Sequence, residues 1–391
     1  GSATDVILKD SGGGSTTRKG YLRFDVTNLS GVYSDLSLAL DTSVNNQGGG
    51  GTTPQSFTVN VFGLDDGDAG ENWGEGTITW NNAPANAGGN SIGAGGVFLG
   101  QFNVPANATP DSVSFDSPAL SAFVNQDTDG NATFILTRDG GNGSHNLGFS
   151  SKEAALVSPS LSGHTQAGSV LSVTTADGSG ADSFVQQGNA NSNFGGADNI
   201  VIKGDNSSTT RKGYARFDIS SVAASEVVGA WLELETSINN PGGGNSTPPQ
   251  SFSVNVYGLN DDATGNDWDE STITWNNAPG NASGNSIDAA VTELLGTIEV
   301  LPAEVPDRVL FSTDEFLTFL SEDTDGEVSF TFQRKSGGSD NLGFATKESD
   351  GFAPTLSFAV AAVPEPASIA IWSLLGLGLA GFGYHRLKRQ K

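Results

Sequence analysis

The chain repeats itself, and that repeat constrains everything else. Ser15–Asp25 reads STTRKGYLRFD, and Ser208–Asp218 reads STTRKGYARFD. Pro54–Leu64 (PQSFTVNVFGL) returns as Pro249–Leu259 (PQSFSVNVYGL), and TITWNNAP stands at both Thr77–Pro84 and Thr272–Pro279. DTDG at Asp127–Gly130 and NLGF at Asn146–Phe149 return at Asp323–Gly326 and Asn341–Phe344. The offset runs only from 193 (Ser15 to Ser208) to 196 (Asp127 to Asp323). A solenoid repeats every ~20–50 residues, so this period marks duplication of a whole domain. The 391 residues divide into a first copy 1–161, a linker 162–168, a second copy 169–360 and a tail 361–391.

Both copies read as strands. Tyr21–Val26, Leu36–Leu40, Phe57–Phe62, Ala132–Leu136 and Phe358–Val360 alternate or run apolar between Gly, Asn and Asp clusters. Only Ser117–Val124 and Thr313–Leu320 suit short helices, each opened by a hydroxyl residue that can cap it. Glycine, 53 of 391, is about twice its usual share of ~7% and supplies turns. The expected fold is all-β: two tandem antiparallel β-sandwich domains, jelly-roll-like, each with its own core. The copies differ at their starts. Copy two opens with DSFVQQGNANSNFGGADNIVIK (Asp182–Lys203), whereas Gly1 aligns near Gly195. Copy one is therefore expected to lack its first strand here, with that one strand and a secretion signal preceding Gly1.

Forty-four Asp and Glu stand against 18 Lys and Arg, a net charge of −26, which argues against a nucleic-acid partner. The absence of cysteine excludes disulfides, thiolate metal sites and Cys nucleophiles. The few cations cluster. Lys9, Arg18, Lys19 and Arg23 are four of the six in copy one, and Lys203, Arg211, Lys212 and Arg216 repeat them. On the strand after each Arg-Lys-Gly, alternation puts Leu22, Phe24 and Val26 on one face and Lys19, Tyr21, Arg23 and Asp25 on the other. Copy two places Lys212, Tyr214, Arg216 and Asp218 opposite Ala215, Phe217 and Ile219. An exposed Tyr21 or Tyr214 between cations suits a sugar ring bearing an anionic group. Pairing of Arg23 with Asp25 and of Arg216 with Asp218 along the strand is the alternative. Trp73 and Trp268, in Gly- and Asp-rich loops, are stacking candidates. Trp80 and Trp275 share a face with Ile78 and Ile273 and read as core.

These blocks, with the opening of copy two, resemble the DNRLRE domain, grouped with carbohydrate-binding module family 96. The matching pattern is R-x-G-Y-x-R-F-D followed by W-x-E-x-x-I-T-W-x-N-x-P. The resemblance implies a β-sandwich that binds polysaccharide, with uronate polymers the expected class. Carried over, it points to Lys9, Arg18, Lys19, Tyr21 and Arg23, and to Lys203, Arg211, Lys212, Tyr214 and Arg216.

The tail reads differently. Ala367–Gly383 carries no charge; as a helix these 17 residues span roughly 25 Å, at the short end for crossing a bilayer, and a C-terminal transmembrane helix over 367–384 is expected. Arg386, Lys388, Arg389 and Lys391 follow and place the terminus in the cytoplasm, with both domains outside. With Pro364-Glu365-Pro366 before it, this tail resembles the PEP-CTERM sorting signal. That resemblance implies export, transient residence in the inner membrane, removal of the tail by an exosortase, and delivery to the cell surface or an exopolysaccharide matrix. The GxGxxG at Gly376–Gly381 follows no strand and reads as small-residue helix packing rather than a nucleotide site.

Asp127 and Asp129, with Asp323 and Asp325, alternate in turns and could ligate a structural calcium, although Asp-Gly is also ordinary turn chemistry. Catalysis has little support. His145 is the sole histidine within a domain and has no twin in copy two, and Glu75 and Glu270 are the lone carboxylates of the shared W-x-E. The expected function is non-enzymatic polysaccharide binding. The alternatives are a structural matrix or surface-layer component and a polysaccharide hydrolase or lyase.

Overall fold

A computed structural model describes residues 3–362, apart from 13, 28–30, 48–52, 69, 108, 140–142, 144, 155–156, 224–225, 241–248, 262, 264, 303–304 and 350–351. Pro364, Glu365, Pro366, the apolar span 367–384 and the basic tail lie outside the described residues. Among the described residues, no helix is long and apolar enough to cross a membrane.

Each copy folds into two facing antiparallel layers, which in copy two are joined into one eleven-stranded sheet through the Lys203–Arg211 pairing. In copy one the first sheet runs in the order Gly20–Asp25, Asn131–Asp139, Phe57–Leu64, Gly96–Val104. The second holds Asp5–Leu8, His145–Ser150 and Ser37–Gln47, the last also pairing with Ser112–Asp116 and Ser160–Ser162. Alternation along these strands fills the space between the sheets. Leu22, Val59, Val61, Phe134 and Leu136 meet Leu38, Leu147 and Phe149, all buried. Copy two repeats the plan with Phe217, Val254, Val256, Phe330 and Phe332 against Leu232, Leu234, Phe344 and Phe358. The expected helices are present as Pro118–Asn125 and Asp314–Ser321. The hydroxyls of Ser117 and Thr313 cap them, each accepting a backbone N–H at 3.0 Å.

One difference positions the site. In copy two the strand Ala181–Gln186 pairs along the edge of Arg211–Asp218, in register from Ala181 opposite Arg216 to Gln186 opposite Arg211. In copy one the equivalent edge of Gly20–Asp25 pairs with no described strand.

Residues 162–168 hold the copies together. Thr165 and Gln166 bridge Tyr33 and Val32, and Gly168 starts a strand against Thr355–Ala361. Trp231, 1% exposed, packs into the first copy's core cluster. Beside it, Arg308 of copy two donates to Asp65 of copy one at 2.7 Å, to Glu233 at 2.7 Å and to Gln126 of copy one at 2.6 Å. Asp307, 8% exposed, accepts a long bond from Gly95 N–H at 3.3 Å. Burial, with repulsion from Asp65, pushes its carboxyl up to about 7. Between the ordinary carboxylate range and that value the folded chain holds a proton the unfolded chain has released. Stability therefore falls as pH rises through that window. Asp307→Asn is expected to raise the unfolding free energy by about 2–4 kcal/mol at pH 8 and to change it little at pH 3.5, as chemical denaturation at the two pH values would show.

Candidate functional site

Lys19 and Lys212 hold the same position in their copies and make the same bonds. Lys19 Nζ donates to Asn86 Oδ1 at 2.8 Å, to the Ala87 carbonyl at 3.0 Å and to the Ser91 carbonyl. Lys212 Nζ donates to Asn281 Oδ1 at 2.7 Å, to the Ala282 carbonyl at 2.8 Å and to the Ser286 carbonyl. All three donors of each ammonium are spent on the loop that follows TITWNNAP. Burial lowers the Lys19 ammonium to about 8 and that of Lys212 to about 7. Tyr21 and Tyr214 likewise donate to the carbonyls of Pro84 and Pro279.

Three expectations are corrected here. Lys212, Tyr214 and Trp268 are not exposed: they are 0%, 1% and 6% accessible, because the 268–287 loop folds over the outer face of the strand. Trp268 Nε1 donates to Ser329 Oγ, and its ring meets Tyr214 edge-on at 6.0 Å. Trp80, read as core, is 45% exposed, and Trp275 is half-buried. The segment is a run of turns rather than a strand. Asn82 Oδ1 accepts from Thr79 N–H and its amide donates to the Thr77 carbonyl, so a two-residue period does not apply. Finally, neither arginine pairs along its strand with the aspartate two residues on. Arg23 donates to the Trp73 carbonyl and Arg216 to the Ser179 carbonyl, while Asp25 and Asp218 accept from Thr27 and Ser220.

The remaining candidates differ between copies. Lys203 meets Asp205 at 3.2 Å, and Arg211 donates to Gln186 and Asn341. In copy one, Arg18 is exposed with one bond to Asn146 at 3.2 Å, Arg23 is exposed, and Lys9 is half-buried. Trp73 is half-buried under Arg23, whose guanidinium carbon lies 5.3 Å from the ring centroid.

Of these residues Arg18 and Trp73 line a groove of about 430 Å³ in copy one. Arg18, Lys19, Tyr21, Trp73, Ile78 and Trp80 line it, together with the carboxylates of Asp5, Glu75 and Glu153. Lys152 makes a 2.5 Å contact to Glu75. The Lys-Glu pair at 152–153 recurs at 347–348, where Lys347 meets Glu270 at 2.8 Å, a repetition that sequence reasoning passed over. In copy two the corresponding space is filled. The strand Ala181–Gln186 lies along the sheet edge, Asp182 N–H donates to Glu270 Oε1, and Asn193 donates to the Glu270 and Ile273 carbonyls. Phe184 and Phe194 stack at 4.4 Å beside Arg211. His145 is buried against Asn45 and Phe57, and Glu75 and Glu270 are bound to lysines.

Two tandem antiparallel sandwiches, one with an aromatic and cationic groove beside a sheet edge that pairs with no described strand, define a class of β-sandwich modules that present a surface cleft. The model of carbohydrate-binding module family 96 matches residues 1–163 and 174–303, and the chain belongs to that family. The PEP-CTERM protein-sorting motif matches residues 362–389. No curated protein matches the chain. Among solved structures it is similar to a peptide-N(4)-(N-acetyl-β-D-glucosaminyl) asparagine amidase, at 11% identity over 92% of this chain and 97% of that one, TM-score 0.31. It is also similar to PNGase F from Flavobacterium meningosepticum, at 9% identity over 93% and 97%, TM-score 0.28. The tandem CBM22 domains of Xyn10C from Paenibacillus barcinonensis follow at 8% identity over 86% and 81%, TM-score 0.18. Scores this low carry no functional argument.

Proposed function

We propose that this is an exported, non-enzymatic polysaccharide-binding protein whose sugar site is the groove of copy one. The observation that carries the reading is Trp80. Its large ring is 45% exposed on the groove wall, beside Tyr21, Trp73 and Arg18, in a chain of a carbohydrate-binding family. A sugar ring stacks on such a face while cations take its anionic substituents. Asp5, Glu75 and Glu153 in the groove lining oppose a polyanion, so a uronate-type glycan would be met by Arg18 of the lining and by Lys9 and Arg23, which neighbour Arg18 and Trp73 outside it. Lys19 positions the loop beneath Trp80 rather than touching ligand. The sorting motif supports processing by an exosortase and a transient membrane-anchored precursor, with final delivery to the surface or matrix.

One observation favours a second reading. Copy two fills the same place with its own strand, so the groove could instead accept an extended peptide. Affinity electrophoresis of the full chain on alginate, neutral and sulfated polysaccharides separates the two. Retention by at least one glycan is expected, with Trp80→Ala weakening it about 30-fold, the scale of a lost aromatic anchor. Retention should fall when a peptide of residues 181–197 is added, because both occupy the groove. No retention on any glycan, with tight binding of the peptide, would replace the sugar reading with the strand-acceptor one and leave a structural matrix protein.

A further inference from the structure

The aspartates of the DTDG turns do not stand alone. In copy one Asp129 comes together with Asp66 and Glu71, from the loop after Phe57–Leu64, their carboxylate oxygens within 4.8 Å of one another. In copy two the same two loops bring together Asp261, Asp323 and Asp325 within the same distance. Such spacing matches opposite ligands across one calcium ion, for which twice the Ca–O distance is roughly 4.6–5.2 Å.

A second observation points the same way. Glu71 is 3% exposed, and while its Oε2 accepts from Gly67 N–H at 2.8 Å, its Oε1 has no hydrogen-bond partner. The residue at that position in copy two is Asn266, 7% exposed, and its amide oxygen Oδ1 also lacks a partner. Its amide nitrogen lies 3.5 Å from Asp325, placing the group at the cluster. Asp323 Oδ1 is unpartnered as well. A buried oxygen without a donor costs about 1–3 kcal/mol, and here the cost recurs at the same place in both copies. We propose that each copy binds one calcium ion between these loops, Asp66, Glu71 and Asp129 holding it in copy one and Asp261, Asn266, Asp323 and Asp325 in copy two.

Other bonds in the cluster leave room for the ion. Asp66 Oδ2 accepts from Thr128 N–H and hydroxyl, and Asp129 Oδ1 from Asn131 N–H, so each keeps a second oxygen. Asp127 is different. Both its oxygens accept backbone N–H bonds, from Gly130 and Asn131, and it shapes the turn. Burial and mutual repulsion hold the Glu71 and Asp127 carboxyls above their ordinary range, and raise Asp323 to about 6. A divalent cation relieves that repulsion. It would also tie down the stretch that reaches Trp73 and Trp268 two residues later, in a chain that has no disulfide to do so.

The test uses the full chain, freed of metal with a chelator and titrated with calcium chloride at pH 7.5. Equilibrium dialysis should give two calcium ions per chain, and the unfolding midpoint should rise by roughly 5 °C or more at saturation. Glu71→Gln should lower the stoichiometry to one, as should Asp325→Asn. In chelator, Glu71→Gln should melt at or above the wild-type temperature, because it removes a buried charge without removing the Gly67 bond. That result separates a lost ligand from a damaged fold. Absence of calcium binding, equal stabilisation by magnesium, or two ions retained by both variants would overturn the proposal.

Discussion

Arg308→Ala is expected to cost about 3 kcal/mol and to split a single unfolding transition into two. Arg308 reaches across the copies, with Asp65 and Glu233 each at 2.7 Å from its guanidinium. All three are largely covered, their side chains 25%, 19% and 11% exposed. Removing the cation leaves two largely covered carboxylates unpaired, Asp65 of them also repelling Asp307, and breaking a buried pair from one side costs about 3–5 kcal/mol, less where water reaches it. The apolar half of the contact, around Trp231, remains, so both copies stay folded while their docking weakens. Calorimetry reads the outcome directly. A single transition at the wild-type temperature would mean that Arg308 does not couple the copies. Its neighbour Asp307 is expected to act with the opposite sign, which makes the pair a stringent check on the electrostatics.

The second large effect is at Lys212. Lys212→Ala withdraws an ammonium from Asn281, Ala282 and Ser286, and from the face of Trp275, 4.7 Å away. Charged hydrogen bonds contribute about 1.5–3 kcal/mol each, partly recovered if water enters, so copy two should lose on the order of 4 kcal/mol. Lys19→Ala should cost less, on the order of 2 kcal/mol, because Lys19 is only half-buried and water can reach the orphaned carbonyls. Equal losses at the two positions, measured by denaturant titration, would contradict the contrast between a closed and an open copy. A Lys212 variant should also be avoided as a probe of ligand contact, since its effect is on folding.

Much of this was legible in the sequence. The Ser117 and Thr313 caps and the strand around Arg-Lys-Gly-Tyr follow from local chemistry and from comparing the copies. Alternation separates the two faces of the Gly20–Asp25 strand, but it cannot say that the outer face is roofed by a loop from more than fifty residues away. Lys212, Tyr214 and Trp268 were misplaced for that reason. Trp80 was misplaced because Asn82 folds TITWNNAP into turns, where strand periodicity has no meaning. The contact between copies had a signal too: Trp231 stands where copy one has Ser37, and Arg308 where it has Ser112. A duplicated domain marks its interface by its departures from symmetry. Glu71 and Asn266 were harder to see, since their pairing with the DTDG turns depends on two loops meeting in space.

The central claim is that the exposed Trp80 face of copy one, and not the half-buried Trp275 face of copy two, is the sugar-binding surface of residues 1–391, and the stoichiometry of glycan binding tests it most directly. Titration calorimetry of the full chain with an oligosaccharide of the best-retained polysaccharide should give one site per chain, weakened about 30-fold by Trp80→Ala and left intact by Trp275→Ala. Two equivalent sites per chain, or one site lost with Trp275→Ala and kept with Trp80→Ala, would contradict it.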